Sequence, residues 1–174
     1  VSLILTKLLW LTPEERSYLE HAALIEGTFT PSIIEKLGPF SIERSKAIVS
    51  RLESFGFILS RFREDYSFVR DRVQEAVAAK IEKQESYRLN ERLGAIYESM
   101  SRENPEYLVN AASCYVRSGN LIKSVESSWN AVQYAGERMA FDTQLFFCRQ
   151  AFEFAVRCSR HGLHSPVDTV EIQI

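Results

Sequence analysis

Three side chains able to bind a metal stand three residues apart near the end of the chain: Cys158, His161 and His164. Thiolate sulfur and imidazole nitrogen are ordinary zinc ligands, but a structural zinc site takes four of them. No fourth follows in sequence, so the trio reads as a chance spacing at a helix end and no metal is assigned. Cys114 and Cys148 are the other cysteines. An odd count at wide spacing is no disulfide framework, and all three fall in helical patterns. They read as reduced thiols buried in a cytoplasmic protein. With 3 histidines in the chain, no Ser-His-Asp or Cys-His set can be argued. No Gly-rich loop is followed by Lys and Ser or Thr, so this segment is not itself a P-loop ATPase. The adjacent carboxylates Glu14 and Glu15 stand where a helix begins, and read as partners of its dipole rather than as an acid–base pair. The expectation is a segment with no catalytic residues, no metal and no cofactor of its own.

A second set of residues could meet phosphate. Arg44, Lys46 and Arg51 share one segment, and Arg61 and Arg63 a later one. Glu43, Glu53, Glu64 and Asp65 offset most of that charge. A solvated mixed face is therefore the preferred reading, with DNA contact by these cations kept as the alternative. The net charge of −2 sets up no global field toward nucleic acid or an anionic membrane.

The elements that must carry these residues are mostly helical. The chain has 174 residues, 45% hydrophobic and 25% charged, an ordinary globular composition for one domain or two small ones. No apolar run approaches the roughly 20 residues of a membrane helix, so no membrane partner is expected. The first eleven residues are apolar but carry Lys7 and lack a basic leader and a small-residue cleavage site. With Val at the first position, the sequence reads as a piece of a longer protein or a processed one.

Thr12-Pro13-Glu14-Glu15 predicts a helix start with a capping box. Tyr18, Leu19, Ala22, Ala23 and Ile25 form its apolar face, and Gly27 its end. Thr30-Pro31 opens a second helix with Ile33, Ile34 and Leu37 inward, stopped by Gly38-Pro39. Ser41 caps a third, with Ala47, Ile48, Leu52 and Phe55 inward. Residues 57–69 alone look like strand. Phe57, Leu59 and Arg61 would share one face, Ile58, Ser60 and Phe62 the other, and Tyr66 to Val69 would return after a polar turn. Asp71 is expected to cap the next helix. Ile48, Leu52, Phe57, Leu59 and Phe68 are expected to be buried together. Further helices follow, with Tyr87, Leu93, Ile96, Tyr97 and Met100 on one stripe, then Leu108, Ala111, Ala112 and Tyr115. Gly119-Asn120 separates these from Leu121, Val125, Ser128, Trp129 and Val132. A last helix, near 141–158, would face inward through Leu145, Cys148, Phe152 and Ala155. Three helices and a hairpin predict a winged-helix domain, whose third helix would be the recognition helix.

Two stretches match known families. Leu108, Ala111, Ala112, Tyr115, Gly119, Asn120, Leu121, Ser124, Ser128 and Ala131 resemble a tetratricopeptide repeat, with Ser124 standing where Ala is usual. Phe141, Cys148 and Ala151 look like the second half of a further, degenerate repeat. More specifically, Leu11-Thr12-Pro13-Glu14-Glu15, the third helix, the hairpin and Phe68-Val69-Arg70-Asp71-Arg72-Val73-Gln74-Glu75-Ala76 resemble STAND-class signalling ATPases. The likeness is to the C-terminal regions of multidomain ATPase-linked kinases and cyclases, over roughly residues 8–158. In that family a nucleotide-binding domain leads into a winged helix and then into tetratricopeptide-like helices.

The resemblance implies a mainly α chain: a winged-helix domain with one small β-hairpin over 1–82, an antiparallel tetratricopeptide-like bundle over 83–160, and a loosely ordered tail over 161–174. It implies a non-catalytic regulatory and protein-interaction segment, coupling nucleotide state to a partner or effector domain. ADP or ATP would be supplied by a neighbouring domain. Arg70 and Asp71 become nucleotide-sensing candidates, because the family's His before this Asp touches a phosphate. Here Arg70 stands in its place. A peptide-binding helical scaffold is a further alternative.

Overall fold

The computed structural model describes residues 6–62 and 64–167, which divide into two compact units between Leu89 and Asn90. In the first unit a helical turn over residues 6–8 precedes α1 (Pro13–Ala23). The Thr12 hydroxyl accepts from the Glu15 amide, and a Glu15 carboxylate oxygen accepts from the Thr12 amide at 2.8 Å, closing the capping box. The helix stops at Leu24, three residues short of Gly27. The chain then forms a strand absent from the sequence reading, β1 (Thr28–Phe29). Two residues are too short for any periodic signal, so only pairing reveals them.

Helix α2 (Pro31–Leu37) buries Ile33, Ile34 and Leu37. Helix α3 (Ile42–Ser54) is capped by the Ser41 hydroxyl and buries Ser45, Ile48, Val49 and Leu52. Ala47, expected inward, is exposed, and Phe55 is half-buried. Strands β2 (Ile58–Ser60) and β3 (Tyr66–Phe68) complete an antiparallel sheet in the order β1-β3-β2. Ile58 pairs with Phe68, Leu59 with Ser67 and Ser60 with Tyr66, while Phe29 of β1 pairs with Tyr66.

This register corrects the face assignment of the hairpin. Ile58 is fully buried and Leu59 is 40% exposed, the reverse of the expectation. The reason lies at Gly56, whose φ of 72° turns the chain out of α3 in a conformation that side-chain-bearing residues avoid. Phe57, directly after it, is buried before the regular alternation begins. Ile58 is then the first paired residue, and the face it shares with Phe68 turns inward. Ile48, Leu52, Phe57 and Phe68 are buried as expected, and Leu59 is not.

Helix α4 (Asp71–Ala78) buries Val73 and Val77. Gln74 donates from Nε2 to the carbonyls of Ala23 (3.1 Å) and Ile25 (2.7 Å). Those carbonyls lie where α1 has ended, so the side chain supplies partners that the helix no longer can.

Helix α5 (Lys83–Met100) runs across the division between the units. In the second unit α6 (Tyr107–Ser118), α7 (Leu121–Glu137) and α8 (Phe141–Arg160) follow one another, α7 packing on both α6 and α8. Helix α6 ends at Gly119 with φ 73°, and Asn120 caps α7 by accepting from the Lys123 amide. Gly94 of α5 meets the ring of Tyr115: a Cβ there would lie 3.0 Å from a ring carbon. The buried stripe of α8 is Phe147, Ala151, Phe154, Ala155 and Cys158. Leu145 and Phe152, expected inward, are 53% and 41% exposed, and Cys148 is half-buried. Two apolar stripes lie on this helix, and periodicity cannot rank them; packing against α7 selects one. Val167 closes a core cluster with Val125, Ala151, Phe154, Ala155 and Cys158. The remaining residues of the expected loose tail, 168–174, lie outside those described. No helix among the described residues is long and apolar enough to cross a membrane.

Candidate functional site

Arg70 and Asp71 join β3 to α4. Arg70 is extended (φ −152°, ψ 146°), occupies the N-cap position and makes no side-chain cap bond. Asp71 is the first helical residue. The expected Asp71 cap is thus corrected by one residue: Asp71 already has helical geometry, and a cap must not. Its carboxylate can still act on the helix dipole. Both side chains are exposed, and that of Arg70 has no partner among the described residues.

Asp71 and Arg61 line one small cavity of ≈ 320 Å³, with Gly27, Thr28, Ser67 and Gln74 among its walls. Arg61 donates from Nε to the Ser67 hydroxyl at 2.8 Å. Ser67 is present because β3 is the central strand, and Gln74 because it clamps α4 to the end of α1. Neither carries a site signal of its own in the sequence, although Gln74 lies within the Phe68–Ala76 stretch that bears the family resemblance. Arg70 is not among the lining residues, so the structure does not bring the Arg-Asp pair to a single hollow.

The cations of α3 are engaged internally. Arg44 grips Glu14 in a two-pronged pair, Nε at 2.9 and 3.0 Å from the two carboxylate oxygens and a terminal nitrogen at 2.8 Å. That guanidinium, chiefly through its hydrogen bond, holds the Glu14 carboxyl below its ordinary range. Arg51 forms an ion pair with Glu15, Nε at 2.8 Å from a carboxylate oxygen, and its guanidinium lies over the Phe55 ring. Lys46 stands 3.8 Å from Glu64 at the hairpin turn. Glu14 and Glu15 therefore do more than face the dipole of α1: they tie it to α3, thirty-odd residues on, where sequence spacing carries no signal. Glu14, Glu15, Arg44 and Arg51 line a groove of ≈ 560 Å³ between α1 and α3 with Thr12, Pro13, Ala47 and Ile48. Its mouth presents opposite charges already paired with one another. Arg63 lies outside the described residues.

The thiol of Cys158 sits in the core between α7 and α8, whereas His161 and His164 are exposed. Burial pushes the Cys158 and Cys148 thiols up, away from the thiolate that metal binding or nucleophilic attack requires. No group of three His, Cys, Asp or Glu side chains able to hold a metal forms among the described residues.

The second unit carries a polar seam. The Tyr115 hydroxyl donates to Glu98 at 2.7 Å, and Lys123 reaches both Glu98 and Glu126 at 3.2 Å. Burial and the nearby carboxylate push the Tyr115 phenol up, so it stays a donor across the physiological range. Asn120 donates to Glu91 at 2.8 Å, and Arg117 to Asn90 at 3.1 Å. These bonds fix the residues around the Gly119 turn. No family model, curated protein or solved structure matches the chain.

Proposed function

We propose that this chain is a non-catalytic regulatory and protein-interaction segment of a larger signalling ATPase of the STAND class, coupling nucleotide state in a neighbouring domain to a partner. The observation that carries the reading is the contrast among its cations. Arg44, Lys46, Arg51 and Arg61 each meet a partner in their own unit, whereas Arg70 stands exposed at the strand–helix junction with no partner among the described residues. A cation so placed is available to phosphate from outside the unit, and the guanidinium offers several donors in a fixed fork.

The finer fold reading has support of the same kind. Helix, strand, helix, helix, strand, strand, with β3 between β1 and β2, is the arrangement a winged helix would have. The helix pair α6 and α7, joined at Gly119-Asn120 and lined with the buried residues Ala111, Ala112 and Ala131, supports a tetratricopeptide-like unit. Pairing of the third helix's cations with Glu14, Glu15 and Glu64 favours a protein-facing role over a DNA-binding one.

The test is ADP affinity in the intact protein. Arg70→Ala should weaken ADP by roughly tenfold to a hundredfold, the equivalent of one charge-assisted hydrogen bond, and raise basal signalling. Unchanged ADP affinity in a folded variant would reduce Arg70 to an ordinary surface residue. An intact protein without an upstream nucleotide-binding domain would remove the reading altogether.

A further inference from the structure

Helix α8 has two apolar stripes and the fold covers one. With 3.6 residues per turn, Phe141, Leu145 and Phe152 fall on one line along the helix, with half-buried Cys148 and Val156 at its edges. They are 69%, 53% and 41% exposed. Single exposed apolar residues are ordinary, but a row over three turns is an interaction surface. The steps 141, 145, 148, 152 alternate four and three residues, the spacing of a helix–helix seam. Asp142, Arg149 and Glu153, all exposed, line one flank of the stripe. The opposite flank carries half-buried Gln144 and no charge before it meets the buried stripe at Ala155.

We propose that this stripe is a self-association surface, on which α8 of a second copy of this chain lies antiparallel across a two-fold axis. The flanking charges select both occupant and direction. In an antiparallel pair, equivalent flanks of the two helices face each other. With the axis between Leu145 and Phe146, Asp142 stands opposite Arg149 of the second copy, and Arg149 opposite its Asp142. The same register interleaves the apolar side chains. Leu145 meets its own counterpart at the axis, Cys148 of the second copy falls between Phe141 and Leu145, and its Phe141 falls between Cys148 and Phe152. A parallel pair would instead set the charged flank toward Gln144 and the side of α8 that meets α7, parting Asp142 from Arg149 of the second copy.

Sedimentation equilibrium of the full chain tests this. The expected result is a reversible monomer–dimer equilibrium. Leu145→Glu should weaken dimerisation by on the order of a hundredfold, because two charges would be buried at the axis. Asp142→Arg and Arg149→Asp should each weaken it about tenfold, since each creates two like-charge contacts by symmetry. The double exchange Asp142→Arg with Arg149→Asp should restore it. Circular dichroism would verify folding, and the exchanged positions are exposed. A monomeric mass up to roughly millimolar concentration, a dimer indifferent to Leu145→Glu, or a double exchange no better than the singles would each overturn the proposal.

Discussion

Two serines of α7 look alike in sequence and differ in energy. Both Ser124 and Ser128 are fully buried. The Ser124 hydroxyl reaches the carbonyls of Tyr115 at 2.9 Å and Asn120 at 2.6 Å, whereas the Ser128 hydroxyl has no partner among the described residues. A buried hydroxyl without a hydrogen bond costs free energy, and alanine is the better helix former. Ser128→Ala should therefore raise the unfolding free energy by about 1 kcal/mol, and Ser124→Ala should lower it by a similar amount. Urea titration of both variants checks the opposite signs; equal shifts would remove the distinction. Arg70 offers a third contrast, at the surface. Being exposed and unpaired, its replacement by alanine should change stability by no more than about 0.5 kcal/mol. Asp71→Ala should cost a few tenths to about 1 kcal/mol through the dipole of α4, with no cap to lose.

Among the elements of the first unit, α3 serves both core and surface. It contributes Ile48, Val49 and fully buried Leu52 to the core, and its exposed side ties to α1 through Arg44 and Arg51. Leu52→Ala should cost ~2–5 kcal/mol by transfer and cavity terms. A loss below ~1 kcal/mol would mean that α3 packs elsewhere. The Arg44–Glu14 pair should add little, because both side chains are largely solvated. Its contribution is present at neutral pH and fades as pH falls through the lowered Glu14 pKa, since protonation removes the acceptor charge. In the second unit, Gly94 sets how closely α5 approaches Tyr115. Alanine there gains helix propensity of about 1 kcal/mol but must displace the ring; valine adds branching and should destabilise by ~1–3 kcal/mol. Thermal melts of Gly94→Ala and Gly94→Val separate the terms, and an unperturbed valine variant would show that the helices can part freely.

For the whole molecule the prediction concerns nucleic acid. Net charge is −2, and the described cations of α3 and the hairpin are paired or hydrogen-bonded within the unit. For Arg44, Lys46 and Arg51 to contact duplex DNA, they must leave their carboxylates. Affinity should be no better than a Kd of about 10⁻⁴–10⁻⁶ M at physiological salt, without sequence preference. Fluorescence anisotropy with unrelated duplexes measures this, and a nanomolar selective complex would reinstate the DNA-binding reading.

Local physics accounts for the parts legible in the sequence. The capping box at Thr12 and Glu15, the Ser41 cap, the Gly119-Asn120 turn and the strand character of residues 58–68 depend on residues a few positions apart. Their signals are therefore contained within one segment. Tertiary structure decided what needs two distant segments. It paired β1 with β3, turned Ile58 inward in place of Leu59, and chose Phe147, Phe154 and Cys158 over Leu145 and Phe152 as the buried stripe of α8. At the candidate site the sequence marked Arg70, Asp71 and the cations, but their partners lay beyond it. Glu14 and Glu15 meet Arg44 and Arg51 across some thirty to thirty-six positions, and Gln74 reaches Ala23 across 51. Residue type says that a guanidinium or an amide can make such a bond. Only the packing of helices brings the acceptor within reach, and that separates these engaged cations from Arg70, which has no partner among the described residues.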